Sequence, residues 1–225
     1  MNKELQSRCE LFIENKNKLD KLAAFDMPSV CMLASNLVTA QNVPVDKDKV
    51  KACKKLLKEK TGALSDFRGN ITMPLVSMLA LSDDPEAKME RAFALDKKLR
   101  KELFASEFMA LTAMALTDMV DESEEDKYIS RGKGLYKRMR KDHPFLTGSE
   151  DGVLAVLLSF SNKSDDQLIN DMEEIYNVLK DNKFKSSSAL GISRIFAMTD
   201  GDHSVKCAKL RKIIDALADG GRKYG

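Results

Sequence analysis

Tryptophan is absent from this 225-residue chain, histidine occurs twice and cysteine four times. Cys9, Cys31, Cys53 and Cys207 form no C-x-x-C pair, and His143 and His203 are far apart in the chain. A sequence-local Cys/His zinc site is therefore not encoded, and free buried thiols in a reducing compartment are the plain reading of the cysteines. No G-x-S-x-G elbow is present. One histidine precedes a proline and the other sits in an acidic turn, so Ser-His-Asp and Cys-His arrangements have almost no candidates. Arg131-Gly-Lys-Gly134 lacks the G-x-x-x-x-G-K-[ST] spacing whose amides cradle phosphates, and reads as part of a helix start. No catalytic residue, cofactor or metal ligand is expected.

Charge of one sign is also missing. Against 37 basic residues stand 35 acidic ones, a formal net charge of +2, which gives no global pull toward nucleic acid or membrane. Four tyrosines and no tryptophan make a poor set of stacking platforms, so nucleic acid is an unlikely partner. Base-excision chemistry needs an acidic residue in a basic, aromatic cleft, and the sequence shows no such constellation. The longest uncharged run, Met27 to Val45, holds Pro28, Ser35, Asn36, Gln41, Asn42 and Pro44 and is too polar to span a bilayer. The start, Met1 to Leu5, has no apolar h-region. No membrane association is expected, and the cytoplasm is the expected address.

What the chain has in abundance is helix formers, with Leu, Ala, Lys, Glu and Met prominent. It also has a register. Leu95, Leu135 and Ile175 follow a step of forty, and Leu99, Met139 and Leu179 keep it. Each is an i, i+4 apolar pair followed by charge, the stripe that a half-buried helix requires. A phenylalanine follows each copy, at Phe104, Phe145 and Phe184, with Phe67 as an earlier member. A second, more apolar helix pattern comes next: Leu75, Met78, Leu79; Leu111, Met114, Ala115; Leu154, Leu157, Leu158; Ile192, Ile195, Phe196. These read as an inner layer, with the methionines as core filler. Asp84 before Pro85 is an N-cap followed by proline at the first helical position. Ser164 to Gln167 and Thr147 to Glu150 fit the capping box, and Ser123 to Asp126 is a weaker version.

The predicted fold is all-α, a short α-solenoid of about five two-helix repeats plus an N-terminal capping helix. The hairpins fall near 28–66, 70–103, 106–142, 148–182 and 187–219, after a leading helix near 2–24 that presents Leu5, Cys9, Phe12, Leu19 and Leu22 on one side. The whole chain reads as one domain: capping helix 1–27, repeats 28–219 and a tail at 220–225. Gly132 and Gly134 inside the third outer helix each cost about 1 kcal/mol relative to Ala, so that helix either starts late or packs closely there.

The run Met78 to Leu99, the His143-Pro144-Phe145-Leu146-Thr147 turn and the Asp151 to Ser159 helix resemble an uncharacterised bacterial family, domain of unknown function 4003. The resemblance covers most of the chain, roughly 28–215. It implies an all-helical fold and carries no activity.

Acids gather where inner helices turn into outer ones: Asp83 and Asp84, Asp121 to Asp126, Asp165 and Asp166, Asp200 and Asp202. Bases gather toward the far end of the outer helices, at Lys54 to Lys58, Lys97 to Lys101, Lys137 to Lys141 and Lys209 to Lys212. Helix dipoles favour this arrangement by about 0.3–1 kcal/mol per group. Hairpins stacked in register would then have one acidic and one basic edge. Dipole matching accounts for the pattern by itself. The functional alternative makes Lys137, Arg138, Arg140, Lys141 and His143 a partner-binding cluster. His143 is otherwise expected to bond a carbonyl at its helix end. Asp200-Gly-Asp-His203 and Asp121 to Asp126 lack calcium-loop or H-E-x-x-H spacing and read as capping. The leading functional expectation is a non-catalytic scaffold that binds a protein or peptide. The alternative is an anionic-ligand or nucleic-acid binder using the basic edge.

Overall fold

Side chains that accept amide hydrogens set where most of the helices begin. Asn2 accepts from Glu4 N–H, Asp46 from Asp48 and Lys49, Asp84 from Ala87, Ser106 from Phe108, Ser164 from Gln167 and Asp202 from Val205. Each satisfies an orphan donor of a first turn, worth about 1 kcal/mol. Asp84 acts as the sequence predicts, and Ser164 forms the N-cap half of its predicted capping box. Thr147 does not: its hydroxyl donates to Met139 O, and the helix after it starts at Asp151 without a side-chain cap.

A computed structural model describes residues 2–23, 28–103 and 106–221. The helices are α1 (Lys3–Asp20), α2 (Pro28–Ala40), α3 (Lys47–Lys60), α4 (Thr72–Ala80), α5 (Pro85–Glu102), α6 (Glu107–Met119), α7 (Glu125–Asp142), α8 (Asp151–Leu158), α9 (Asp165–Asp181), α10 (Ser186–Ala197) and α11 (His203–Asp219). A single 3₁₀ turn covers Asp66–Arg68, and no strand occurs among the described residues. The fold is all-α. Phe104 and the end of the expected tail, 222–225, lie outside the described residues.

The chain forms two compact units, Met1–Ser123 and Glu124–Gly225. In the first, α1 packs closely on α2, α3 on α4 and α5 on α6, while α2, α4 and α6 neighbour one another as an inner row. In the second, α7 packs on α8 and α9 on α10, and α9 also touches α7 and α11. Apart from α2 on α4, the closest pairs join an outer helix to the inner helix that follows it, one step out of phase with the hairpins drawn from the sequence. The outer stripes sit as the periodicity predicts, since Leu95, Leu99, Leu135, Met139, Ile175 and Leu179 are all buried.

Among the inner helices, α4 buries Leu75, Met78 and Leu79 together. In α10 the expected face is wrong. Ile195 is exposed, Ile192 and Phe196 are half-buried, and the buried stripe is Ala189, Leu190, Ser193, Arg194 and Ala197. The physical reason is a charge: Arg194 pairs with the buried Asp151 on that side. Cys31, Cys53 and Cys207 are buried thiols outside any disulfide, whereas Cys9 is a thiol exposed on α1.

Helix α7 starts early enough to contain both glycines, and Gly132 marks a close approach. A Cβ built there meets Val156 Cα at 3.0 Å and Val156 Cγ2 at 3.2 Å, while at Gly134 it meets open space. Propensity favours alanine at both positions by about 1 kcal/mol, but backbone contact with α8 opposes it at the first. Urea denaturation is expected to find Gly134→Ala more stable by about 0.5–1 kcal/mol and Gly132→Ala less stable than the parent.

Candidate functional site

The last two turns of α7 alternate between core and water. Leu135, Tyr136 and Met139 are buried, while Lys137, Arg140 and Lys141 are exposed. Two of the five predicted partner-binding residues turn instead toward α9. Arg138 Nη1 lies 2.8 Å from Asp166 Oδ1, and His143 Nε2 lies 2.7 Å from Glu173 Oε1 with its ring centroid 4.8 Å from that of Tyr176. The His143 ring therefore bonds a carboxylate and not the carbonyl expected at a helix end. Arg131, earlier on α7, pairs with Asp165 at 2.8 Å and donates to the carbonyls of Ser159, Ser161 and Lys163, so it holds the α8–α9 turn.

These contacts define a stagger. Arg131 meets Asp165 and His143 meets Glu173, so α7 and α9 run parallel with the end of one beside the middle of the other. Asp171 meets His203 and the Asn182 carbonyl meets Arg211, which repeats the offset between α9 and α11. Within the first unit, Lys60 at the end of α3 meets Glu86 and Glu90 at the start of α5. The basic end of one outer helix thus faces acids of the next.

Beyond α7 the chain is held by a buried polar network. Arg194, 2% exposed, pairs through Nη1 with Asp151 Oδ1 and donates through Nη2 to Thr147 Oγ1 at 2.9 Å. Thr147 Oγ1 donates to Met139 O at 3.2 Å, Gly148 N–H donates to Asp151 Oδ2 at 2.8 Å, and Tyr136 Oη donates to Gly148 O at 3.1 Å. Burial pulls the Arg194 guanidinium below its ordinary range against the charge of Asp151, and burial also pushes the Tyr136 phenol up. At the other end of the turn, Leu146 and Thr147 N–H both donate to His143 O, at 3.1 and 3.0 Å.

With both ends tied, the residues between have nowhere to go but out. Pro144 is exposed, Leu146 is 37% exposed and Phe145 is 99% exposed. Phe145 shares the forty-residue register of Phe67 and Phe184 but not their packing, since Phe67 is buried edge-on to Phe93 at 4.8 Å and Phe184 is half-buried. Pro144, directly before Phe145, was the available signal. It cannot continue the helix, and it restricts His143 before it, whose backbone (φ −129°, ψ 66°) has already left the helical region.

A second cluster centres on α9. Asp171 Oδ2 accepts from Lys163 Nζ at 2.7 Å, and Oδ1 lies 3.4 Å from His203 Nε2. Burial pushes this carboxyl up, but the hydrogen bond and charge of Lys163, with those of His203, outweigh it and leave Asp171 below the usual carboxylate range. In the same turn Asp202 caps α11.

The family model described as "Protein of unknown function (DUF4003)" matches residues 15–225. The chain belongs to that family. It is similar to the "Uncharacterized protein YeaA" of Bacillus subtilis (strain 168), with 25% identity over 193 residues, 84% of this chain and 58% of that protein. The DUF4003 chain therefore spans a little over half the length of this relative. No solved structure matches.

Two outcomes follow for this DUF4003 protein. Removing one partner of a buried ion pair leaves an uncompensated charge, at about 3–5 kcal/mol. Arg194→Met is expected to lose that much in chemical denaturation, and Arg194→Met with Asp151→Leu to recover most of it. For Asp171 the depressed folded-state pKa means that its contribution is present above the unfolded value of about 3.9 and is lost as pH falls through the lower folded value. Asp171→Asn is expected to be less stable near neutral pH and to flatten the acid limb of a Tm-versus-pH curve below about pH 4.

Proposed function

We propose that this protein is a non-catalytic helical scaffold that binds a protein or peptide partner, with Phe145 as its anchor. The observation that carries the reading is a fully exposed phenylalanine on a turn held from both ends by buried or half-buried side chains. Burying such a ring is worth about 1.5–3 kcal/mol. A rigid turn loses little entropy when it docks, which is how a preorganised aromatic becomes an interface anchor. Lys137, Arg140 and Lys141, exposed on the adjoining turns of α7, suit the polar rim of such an interface and select for a partner with acidic groups nearby. Four cysteines, none in a disulfide, fit a reducing cytoplasm.

The alternative, an anionic ligand or nucleic acid on a basic edge, is weaker. Arg138 and His143 already face Asp166 and Glu173, and neutralising a phosphate backbone calls for several free cations on one surface.

Affinity capture from native lysate, with and without nuclease and at low and high salt, tests the reading with wild type beside Phe145→Ala. The expected result is a protein partner that survives nuclease and high salt. Retention should fall about tenfold or more for Phe145→Ala, as an anchor worth at least 1.4 kcal/mol requires, with an unchanged thermal melt. Release of short nucleic acid, or equal retention by the variant, overturns it.

A further inference from the structure

In the first unit the segment between α2 and α3 is held by a buried amide. Asn15 on α1, with no exposed surface, donates from Nδ2 to Thr39 Oγ1 and to Val43 O, both at 3.1 Å, and accepts from Val45 N–H at 2.7 Å. Asn42 makes the turn with φ of 57°, a left-handed conformation that asparagine tolerates. The segment so fixed lines a cavity of about 220 Å³. Its wall is aliphatic, built from Val38, Val43, Val45, Val50, Ala80 and Leu81.

One polar group in that wall lacks a partner. Ser77 on α4 is fully buried and lines the cavity, and its Oγ makes no hydrogen bond among the described residues. The other buried serines return their hydroxyls to the helix: Ser35 to Cys31 O at 2.6 Å, Ser159 to Val156 O at 2.6 Å and Ser193 to Leu190 O at 2.9 Å. Leaving a buried hydroxyl unpaired is unfavourable, and more than nine in ten buried polar groups are paired. Asp46 and Lys49, both exposed, border the cavity with opposite charges, and Asp46 is already engaged in capping α3. That rim offers no net charge to a ligand.

We infer that this cavity binds a small, neutral, branched aliphatic molecule carrying one hydroxyl or carbonyl group, with its hydrocarbon against the valines and its oxygen on Ser77, whose buried hydroxyl rotates toward the cavity to meet it. The absence of an aromatic ring from the lining disfavours planar stacking ligands. An enclosed cavity of about 150 Å³ holds benzene, so by volume this open-sided one has room for a ligand of about that size or slightly larger. The site is separate from the Phe145 turn and stands or falls independently of it.

The test titrates protein with ¹³C-labelled valine methyls against 4-methylpentan-2-ol and against 2-methylpentane, which shares its carbon skeleton without the oxygen. The expected result is a saturable shift at Val38, Val45 and Val50 with the alcohol, and binding of the hydrocarbon at least about fivefold weaker, as loss of one hydrogen bond of about 1 kcal/mol predicts. Ser77→Ala should remove that preference and keep a Tm at or above wild type, since it deletes an unpaired group. Ala80→Leu should abolish binding of both probes. Absence of a saturable shift at these methyls, equal affinity for the two probes in wild type, or a Tm fall in Ser77→Ala overturns the inference.

Discussion

The interaction on which the second unit depends is the buried pair between Arg194 and Asp151. Neither charge can be left alone out of water, because the desolvation of each is repaid only by the other and by further hydrogen bonds. Meeting that demand orients everything near it. Helix α10 turns Arg194 inward, at the expense of Ile195, which goes to solvent. Asp151 uses its second oxygen to accept from Gly148 N–H, and the guanidinium's other arm reaches Thr147, so the turn after α7 is gripped from the inside. Asn15 plays the corresponding part in the first unit, where one fully buried amide satisfies Val43 O and Val45 N–H of the α2–α3 segment. In both units a polar side chain of one helix organises a turn between two others.

The stagger of the outer helices decides what the charges do. Bases placed late in one helix and acids placed early in the next are each favoured by their own dipoles. Offset neighbours then bring the two sets together, as in Arg138 with Asp166 and Lys60 with Glu90. Several of these pairs are partly exposed and individually weak. Their larger effect is on the surface, because cations that would line one edge are answered by carboxylates. What the α7 end presents to solvent is therefore Lys137, Arg140 and Lys141 beside an uncovered phenylalanine, which is the chemistry of an interface more than that of a phosphate site.

The periodic parts of the fold were legible in the chain. Apolar pairs at i, i+4 have to be buried in a helix of that register, whatever lies opposite, and Leu95 with Leu99 and Ile175 with Leu179 are. Caps at Asp84 and Ser164 were readable for the same local reason. The candidate site was legible only in part. Lys137 and Lys141 are exposed, but the partners of Arg138 and His143 lie 28 and 30 residues further along on α9. No local pattern encodes the offset that brings them close.

Sequence by itself determined the helices, their polarity and the buried stripes of the outer helices α5, α7 and α9, because helix periodicity and amide capping act over one to four positions and need no knowledge of neighbours. Tertiary structure alone decided which helices pair most closely, which face α10 buries, that Gly132 is a point of close approach, and that Phe145 faces water while Phe67 faces the core. Those outcomes turn on where a charge 43 residues away finds its counter-charge and on how far one helix slides along the next. Such long-range terms are set only when the whole unit closes around them.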